Sequence, residues 1–320
     1  MQRRVFLAGA SALTFATPAL AQENFPSRAV SMVVAFPPGG QAIVVGRAVA
    51  ATLERIWGVP ITVTGVGELG NSFVARSATD GYTLLMGLYS VTFLPEAARI
   101  NGRTPAYTPE MLTPIALFSA DPTVLVVPAS SPIRTIEEFI AEVRAKPGQI
   151  AYSSVGNYSA SHLPMAMLSQ AAGIEMLHVP FQSGVAAMTA VLRGQVHALA
   201  WPGSWAVAQH ARDGRLRALA TWGRQRLKEF EDVSTFVEKG FADVEFYIWV
   251  GLFSPAGTPP AIIDRIRDAS RQVAQDAEFQ HFMASVGNTL DFRDGDALRR
   301  FYDEDAGRLL RVIRALGKIE

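Results

Sequence analysis

The chain has 320 residues, enough for about two domains, and its 49% hydrophobic and 18% charged content fits a folded protein with a large core. Its 29 basic residues are matched by 29 acidic ones, so no cationic excess exists to neutralise nucleic-acid phosphates. With no cysteine there is no disulfide, thiolate nucleophile, cysteine-held metal or lipidated cysteine tether.

Residues 1–21 read as a signal peptide. Arg3 and Arg4 precede an apolar run from Val5 to Leu20, and Ala19-Leu20-Ala21 is a small-x-small cleavage signal. Cleavage is expected after Ala21, by the general secretory or the twin-arginine route. The run is short for a membrane span and Pro18 interrupts it, and no later stretch reaches spanning length. The expected product is an exported, untethered protein held in a periplasm.

Beyond residue 21 strand and helix signals alternate. Residues 29–36 form a strand stopped by Pro37-Pro38-Gly39-Gly40. Ala42, Val45, Val49, Leu53 and Ile56 then repeat at helical spacing until Gly58. Strands follow at 60–64, 82–86 and 123–127. Thr135 and Glu138 form a capping box ahead of a helix that buries Ile136, Phe139, Ile140 and Val143. Further strands are expected at 150–153, 176–179, 196–200, 216–221 and 246–253, with helices at 163–172, 185–192, 260–275 and about 297–316. Thr258 is read as an N-cap with Pro259 at the first helical position.

This order predicts an α/β fold with parallel sheets. No flexible linker separates two halves, so extended segments at 115–127 and 245–253 are expected to cross between lobes. Two crossings make a hinge and place a ligand cleft between the lobes. The expected division is residues 22–120 and 247–320 in one lobe and 121–246 in the other.

Several motifs point away from catalysis. Gly65-Val66-Gly67-Glu68-Leu69-Gly70 matches GxGxxG, but the next strand ends in Gly87-Leu88-Tyr89, where a dinucleotide fingerprint needs an acid. It is read as a tight glycine-rich loop. The five histidines show no paired-ligand spacing and no GxSxG elbow is present, so neither metal nor cofactor is expected. Two strand-to-helix loops are more informative. Phe36-Pro37-Pro38-Gly39-Gly40 leaves backbone amides uncovered just before a helix, a geometry suited to an anion. Residues 152–162 contain Ser153, Ser154, Gly156, Asn157, Ser159, Ser161 and His162, more donors than helix capping needs.

Together these segments resemble the tripartite tricarboxylate transporter receptor family, the Bug-type extracytoplasmic solute-binding proteins. The likeness runs through Phe36–Gly40 with Arg47, Asp80-Gly81-Tyr82-Thr83-Leu84-Leu85, and Asn157 with Ser161-His162-Leu163. It continues in His178-Val179-Pro180-Phe181, Gly194-Gln195-Val196, Leu216-Arg217-Ala218-Leu219-Ala220 and Pro255-Ala256-Gly257-Thr258-Pro259. The resemblance implies a type II-like, two-lobed periplasmic binding protein that closes over a small organic carboxylate and delivers it to a permease of one large and one small membrane subunit. It implies a monomer without enzymatic activity, cofactor or nucleic-acid partner. Ligand contacts are expected at Phe36, Pro38, Gly39, Gly40, Gln41, Tyr89, Ser154, Gly156, Asn157, Ser159, Ser161, His162, Gln182 and Trp201, largely through backbone amides and ordered waters. Arg47, two turns into its helix, is expected to be structural.

Departures from the family pattern bear on the ligand. Ile43 stands where the family usually has Asp, and Gln195-Val196-His197 with Trp201-Pro202 replaces a more acidic stretch. Lost acids disfavour an amino group, so the expected ligand is an amine-free carboxylate, with Trp201, Trp205 or Tyr89 as aromatic walls. The alternative function is a sensory receptor that reports the same ligand to a membrane kinase without transport. An exported α/β enzyme would need a nucleophile–base–orienter set that the sequence lacks.

Overall fold

The computed structural model describes residues 25–36, 40–67, 69–203 and 205–319. The signal-peptide segment, Pro37, Pro38, Gly39, Glu68 and the side chain of Trp205 lie outside that description.

In chain order the elements are β1 (Val30–Val34), α1 (Gln41–Trp57), β2 (Ile61–Gly65), α2 (Leu69–Ala75), β3 (Thr83–Leu88), α3 (Leu94–Ile100), β4 (Leu112–Pro128) and α4 (Ile136–Ala145). They continue with β5 (Ala151–Ser154), α5 (Leu163–Ala172), β6 (Leu177–Pro180), α6 (Gly184–Leu192), β7 (Ala198–Pro202), α7 (Trp205–Arg212) and β8 (Leu216–Thr221). The last are β9 (Tyr247–Pro255), α8 (Pro260–Gln275), α9 (Ala277–Ser285), β10 (Leu290–Asp294) and α10 (Gly295–Leu316). The periodicities translate directly into packing. In α1, Ala42, Val45, Val49 and Leu53 are buried, and Gly58 ends the helix in the left-handed region, its N–H bonded to the Glu54 carbonyl at 2.9 Å. In α4, Thr135 accepts from the Glu138 N–H at 3.2 Å, while the Glu138 carboxylate reaches one residue further back than expected, to the Arg134 N–H. Thr258 differs from expectation: its hydroxyl donates to the Pro255 carbonyl at 2.8 Å, and Pro259 is the N-cap of α8.

The strands form one mixed sheet in the order β2-β1-β3-β9-β4-β7-β5-β6, with β8 and β10 also paired to β4. β4 organises it. From Leu112 to Pro122 it pairs antiparallel with β9, and around 116–119 also with β10. From Thr123 onward its partners are β7 and β8. The expectation of a crossing at 115–127 matches this long strand. At the other expected crossing, 245–253, the Phe246 N–H bonds the Trp222 carbonyl at 2.9 Å beside the second half-sheet while Tyr247 pairs with Pro122, so the chain returns at 246–247 and the rest of β9 runs with β3 and β4. Continuous burial of β4 from Ile115 to Pro128 explains its apolar run, since it is covered on both faces.

Register fixes where the strand ends go. β1, β2 and β3 are parallel, and Leu88 at the end of β3 lies level with Val250 and hence Ser119 of β4. β5, β6 and β7 are parallel to one another, and Pro202 at the end of β7 lies opposite Thr123. The carboxyl ends of the parallel strands in both half-sheets therefore converge on residues 119–123 of β4.

Packing beside the crossing includes one buried acid. Trp249 donates its indole N–H to Asp305 at 2.8 Å, and burial raises the Asp305 carboxyl to about 6. The other Asp305 oxygen has no hydrogen-bond partner. Trp249→Phe should therefore lower unfolding free energy by about 1–3 kcal/mol in urea denaturation, the cost of leaving that carboxyl unbonded; an unchanged midpoint would contradict this account.

Candidate functional site

Four helices begin where the strand ends converge: α1 after β1, α5 after β5, α6 after β6 and α7 after β7. None of the four has an acid in its first turn. Of the helices that begin elsewhere, α4, α9 and α10 have Glu137 and Glu138, Glu278 and Asp296 there, whereas α8 has none, nor does α2 after β2. An acid in the first turn would occupy the positive end of the helix; its absence leaves that end for an external anion.

At the start of α1, Gly40 is an extended N-cap and its carbonyl accepts from Ile43 and Val44. It has no side chain to cap the helix, so the amides of Gln41 and Ala42 have no partner within it. Phe36 stands at the surface, 38% exposed. Pro38 and Gly39, also expected at this site, fall outside the described residues. Ile43 turns inward, buried, with its Cδ1 facing Gly65. Arg47 is exposed on the helix, in keeping with a role outside the site.

The loop leaving β5 is held by its own side chains. The Ser154 hydroxyl accepts from the Gly156 N–H at 3.0 Å and bonds His178 Nε2 at 2.5 Å. The Ser161 hydroxyl accepts from the Val155 N–H and contacts the Ser159 hydroxyl, each at 3.1 Å. His162 Nδ1 accepts from the Tyr158 N–H at 3.0 Å, and its ring stacks on His178 with centroids 4.2 Å apart. Tyr158 is left-handed at φ 60, a strained conformation for a non-glycine residue, and its hydroxyl accepts from the Asn101 side-chain amide at 2.9 Å. Ser154, Ser161 and His162 are thus buried and engaged in shaping the loop, whereas Gly156, Asn157 and Ser159 form its surface.

The remaining expected residues divide in the same way. Gln182 is exposed just before Ser183, which caps α6. Trp201, half-buried at the end of β7, lies across the first turn of α6; a Cβ on Gly184 would come within 2.6 Å of its ring. Tyr89 follows β3, but its ring is enclosed against Phe93 and Phe246, and burial drives its hydroxyl pKa up. His197 sits at the opposite end of β7 from Trp201, where its Nδ1 accepts from the Ala151 N–H at 2.9 Å.

Sequence reasoning missed Asp121. It is 7% exposed on β4, at the convergence point. One carboxylate oxygen accepts from the Thr289 N–H at 2.7 Å and the other from the Gln41 side-chain amide, which also bonds Asn288 at 3.2 Å. Burial pushes the carboxyl up to about 6. The available signal was a lone acid within a long apolar strand.

On the other face of β4, a cavity of about 510 Å³ is lined by Pro122, Arg224, Glu245, Tyr247, Arg293 and Arg308, among others. Its cations lie beside acids: Arg224 pairs with Glu245 at 3.0 Å and Arg293 with Asp291 at 2.6 Å, while Arg308 lies 3.8 and 3.6 Å from Glu245 and Asp305 with its Nε unbonded. The acid-free helix ends are the better anion site. Among the described residues no cluster of metal-ligating side chains occurs, and no helix is long and apolar enough to cross a membrane.

The stacked imidazoles have a pH signature. Burial, with His178 alongside, lowers the His162 pKa to about 3, whereas an unfolded histidine titrates near 6.5. The resulting stability is complete above about 6.5 and is lost as pH falls toward 3. Asp121 and Asp305 act oppositely, because a raised carboxyl pKa favours the folded state at lower pH. Both remain in His162→Gln, so the difference between variant and wild type isolates the histidine. The urea midpoint at pH 7.5 minus that at pH 4.5 should be smaller, sign included, in His162→Gln than in the wild type. An identical acid shift in both proteins would assign the effect elsewhere.

Comparison with known proteins accords with this geometry. Residues 45–318 match the family model described as tripartite tricarboxylate transporter family receptor. A Cupriavidus necator protein, "UPF0065 protein in gbd 5'region", is 32% identical, the match covering 99% of this chain and 98% of the relative. Protein BugT of Bordetella pertussis is 30% identical over 92% of this chain and 91% of its own. A TctC solute-binding protein from Polaromonas superposes with a TM-score of 0.79 at 26% identity, covering 91% of this chain and 99% of that one. MatC from Rhodopseudomonas palustris, solved with bound malate, gives 0.71 at 26% identity, covering 90% and 100%. The chain belongs to the tripartite tricarboxylate transporter receptor family, the Bug-type solute-binding proteins, and has their two-lobed periplasmic binding-protein fold.

Proposed function

We propose that the chain captures a small organic carboxylate in the periplasm and delivers it to a membrane permease of one large and one small subunit, without catalysis. One observation carries this reading: α1 and α7 begin beside the point where β4 changes partners, and neither they nor α5 and α6, which follow the neighbouring strands β5 and β6, bear a first-turn acid. The malate bound to MatC supports a carboxylate as the ligand class. Residues 22–120 and 247–320 would move as one lobe and 121–246 as the other, with the bend near Asp121 and Pro122. The ligand carboxylate would bond the first amides of α1 and, directly or through water, Gly156, Asn157 and Ser159. Trp201 would supply an apolar wall, and Gln182 a polar contact at the rim. The signal peptide at 1–21 would direct export.

Thermal-shift screening of the mature protein with small mono- and dicarboxylates tests the reading. A ligand at 100 times its Kd should stabilise the fold by about 2.7 kcal/mol. Asn157→Ala and Gln182→Ala should each weaken that ligand roughly three- to tenfold, as expected for one hydrogen bond, and Gln182→Ala should do so without moving the ligand-free unfolding midpoint. Failure of every carboxylate to shift unfolding would refute the proposed ligand class.

A further inference from the structure

Asp121 occupies an unusual position for an acid. It lies between the end of β3, level with Ser119, and the end of β7, where the Gly203 N–H bonds the Pro122 carbonyl at 3.1 Å. Its neighbours Ala120 and Pro122 line the cavity behind β4, as does Thr289, which bonds one carboxylate oxygen, while the other oxygen reaches Gln41 at the start of α1, so the carboxylate lies between that cavity and the helix end. It is tied there to Gln41, the residue whose backbone amide opens that helix.

Its surroundings hold the carboxylate in place without neutralising it. The partners are the Thr289 N–H and the Gln41 amide, both uncharged. The charged side chain that bears on it is Glu229, of the same sign. A carboxylate oxygen can accept more than one hydrogen bond, so acceptor capacity remains beside the place where the helix would hold a ligand's carboxylate. A second anionic group of the ligand directed here would meet like charge with little water to screen it. A hydroxyl or ammonium would find an acceptor that is already oriented.

We propose that Asp121 is the specificity-determining residue of the cleft, accepting a hydrogen bond from a hydroxyl or ammonium group next to the bound carboxylate and disfavouring ligands that lack such a donor. This rests on the carboxylate-receptor reading and refines it. It also departs from the expectation of an amine-free ligand, which considered only the motif positions now occupied by Ile43, His197 and Trp201. Of these, Ile43 is buried and His197 lies at the far end of its strand.

Matched ligand pairs test the assignment: lactate against propionate, malate against succinate, and glutamate against glutarate. Each is titrated calorimetrically at pH 8 into the mature wild type, Asp121→Asn and Asp121→Ala, with circular dichroism confirming the fold. In at least one pair the wild type should bind the donor-bearing member tenfold or more tightly than its partner. Asp121→Ala should bring that pair within about threefold. Asp121→Asn, which keeps an acceptor but not the charge, should retain more of a hydroxyl preference than of an ammonium preference, and it serves alone if Asp121→Ala does not fold. Equal binding within every pair, or a preference that survives loss of the carboxylate, overturns the assignment while leaving the carboxylate receptor intact. A folded wild type that binds no member of any pair overturns both.

Discussion

The structure depends on a change of hydrogen-bonding partner within a single strand. β4 can serve two half-sheets because its backbone groups are paired throughout, first with β9 and β10 and then with β7 and β8. A strand of this length is kept in register by neighbours on both sides, and those neighbours change around Pro122 and Thr123, where the Gly203 N–H reaches the Pro122 carbonyl at 3.1 Å. Pro122 has no N–H to donate to a ladder, so the proline sits where a continuous ladder is least required. The same change of partner brings the carboxyl ends of both parallel sets together, and the helices that follow them bring their positive ends.

Charge placement distinguishes the two faces of this crossing. Behind β4, arginines and carboxylates satisfy one another in pairs, an arrangement that binds segments of the chain together and leaves little for a solute. In front, the proposed carboxylate would be held by neutral donors and the ends of helices, with the buried acid Asp121 beside them. Backbone amides fixed by secondary structure lose little freedom when they meet an anion, whereas a flexible lysine or arginine would have to be ordered first. Such a site can hold a carboxylate firmly enough to retain it and loosely enough to release it.

Much of this was legible from the sequence because the relevant signals are local. Apolar spacing in α1, the Gly58 stop, the capping residues of α4 and the polar loop after β5 depend on neighbouring residues. What remained hidden depends on long-range pairing. Within 245–253 the chain returns at 246–247 and the remainder stays in one half-sheet, a division not marked in the sequence because an apolar strand reads alike whether it bridges two half-sheets or sits within one. The roles of Ser154, Ser161 and His162 were blurred for a related reason. A serine that offers its hydroxyl to a solute and one that braces its own loop look identical in sequence, and burial separates them. Asp121 was passed over as an interruption in a strand, and its significance comes from Gln41 and Thr289, distant in sequence, meeting on it.

Asn101 joins parts of the molecule that have no covalent reason to communicate. Its side-chain amide donates to the Ala97 carbonyl and to the Tyr158 hydroxyl, while its oxygen accepts from the N–H of Ile319. The left-handed turn at Tyr158 is therefore braced by a residue that also anchors the carboxyl-terminal tail. Tension on that tail, from a fused domain or an immobilising surface, would be transmitted through one amide to the loop proposed to face the solute. A probe attached at that end would register the loop's movement, and would also disturb it.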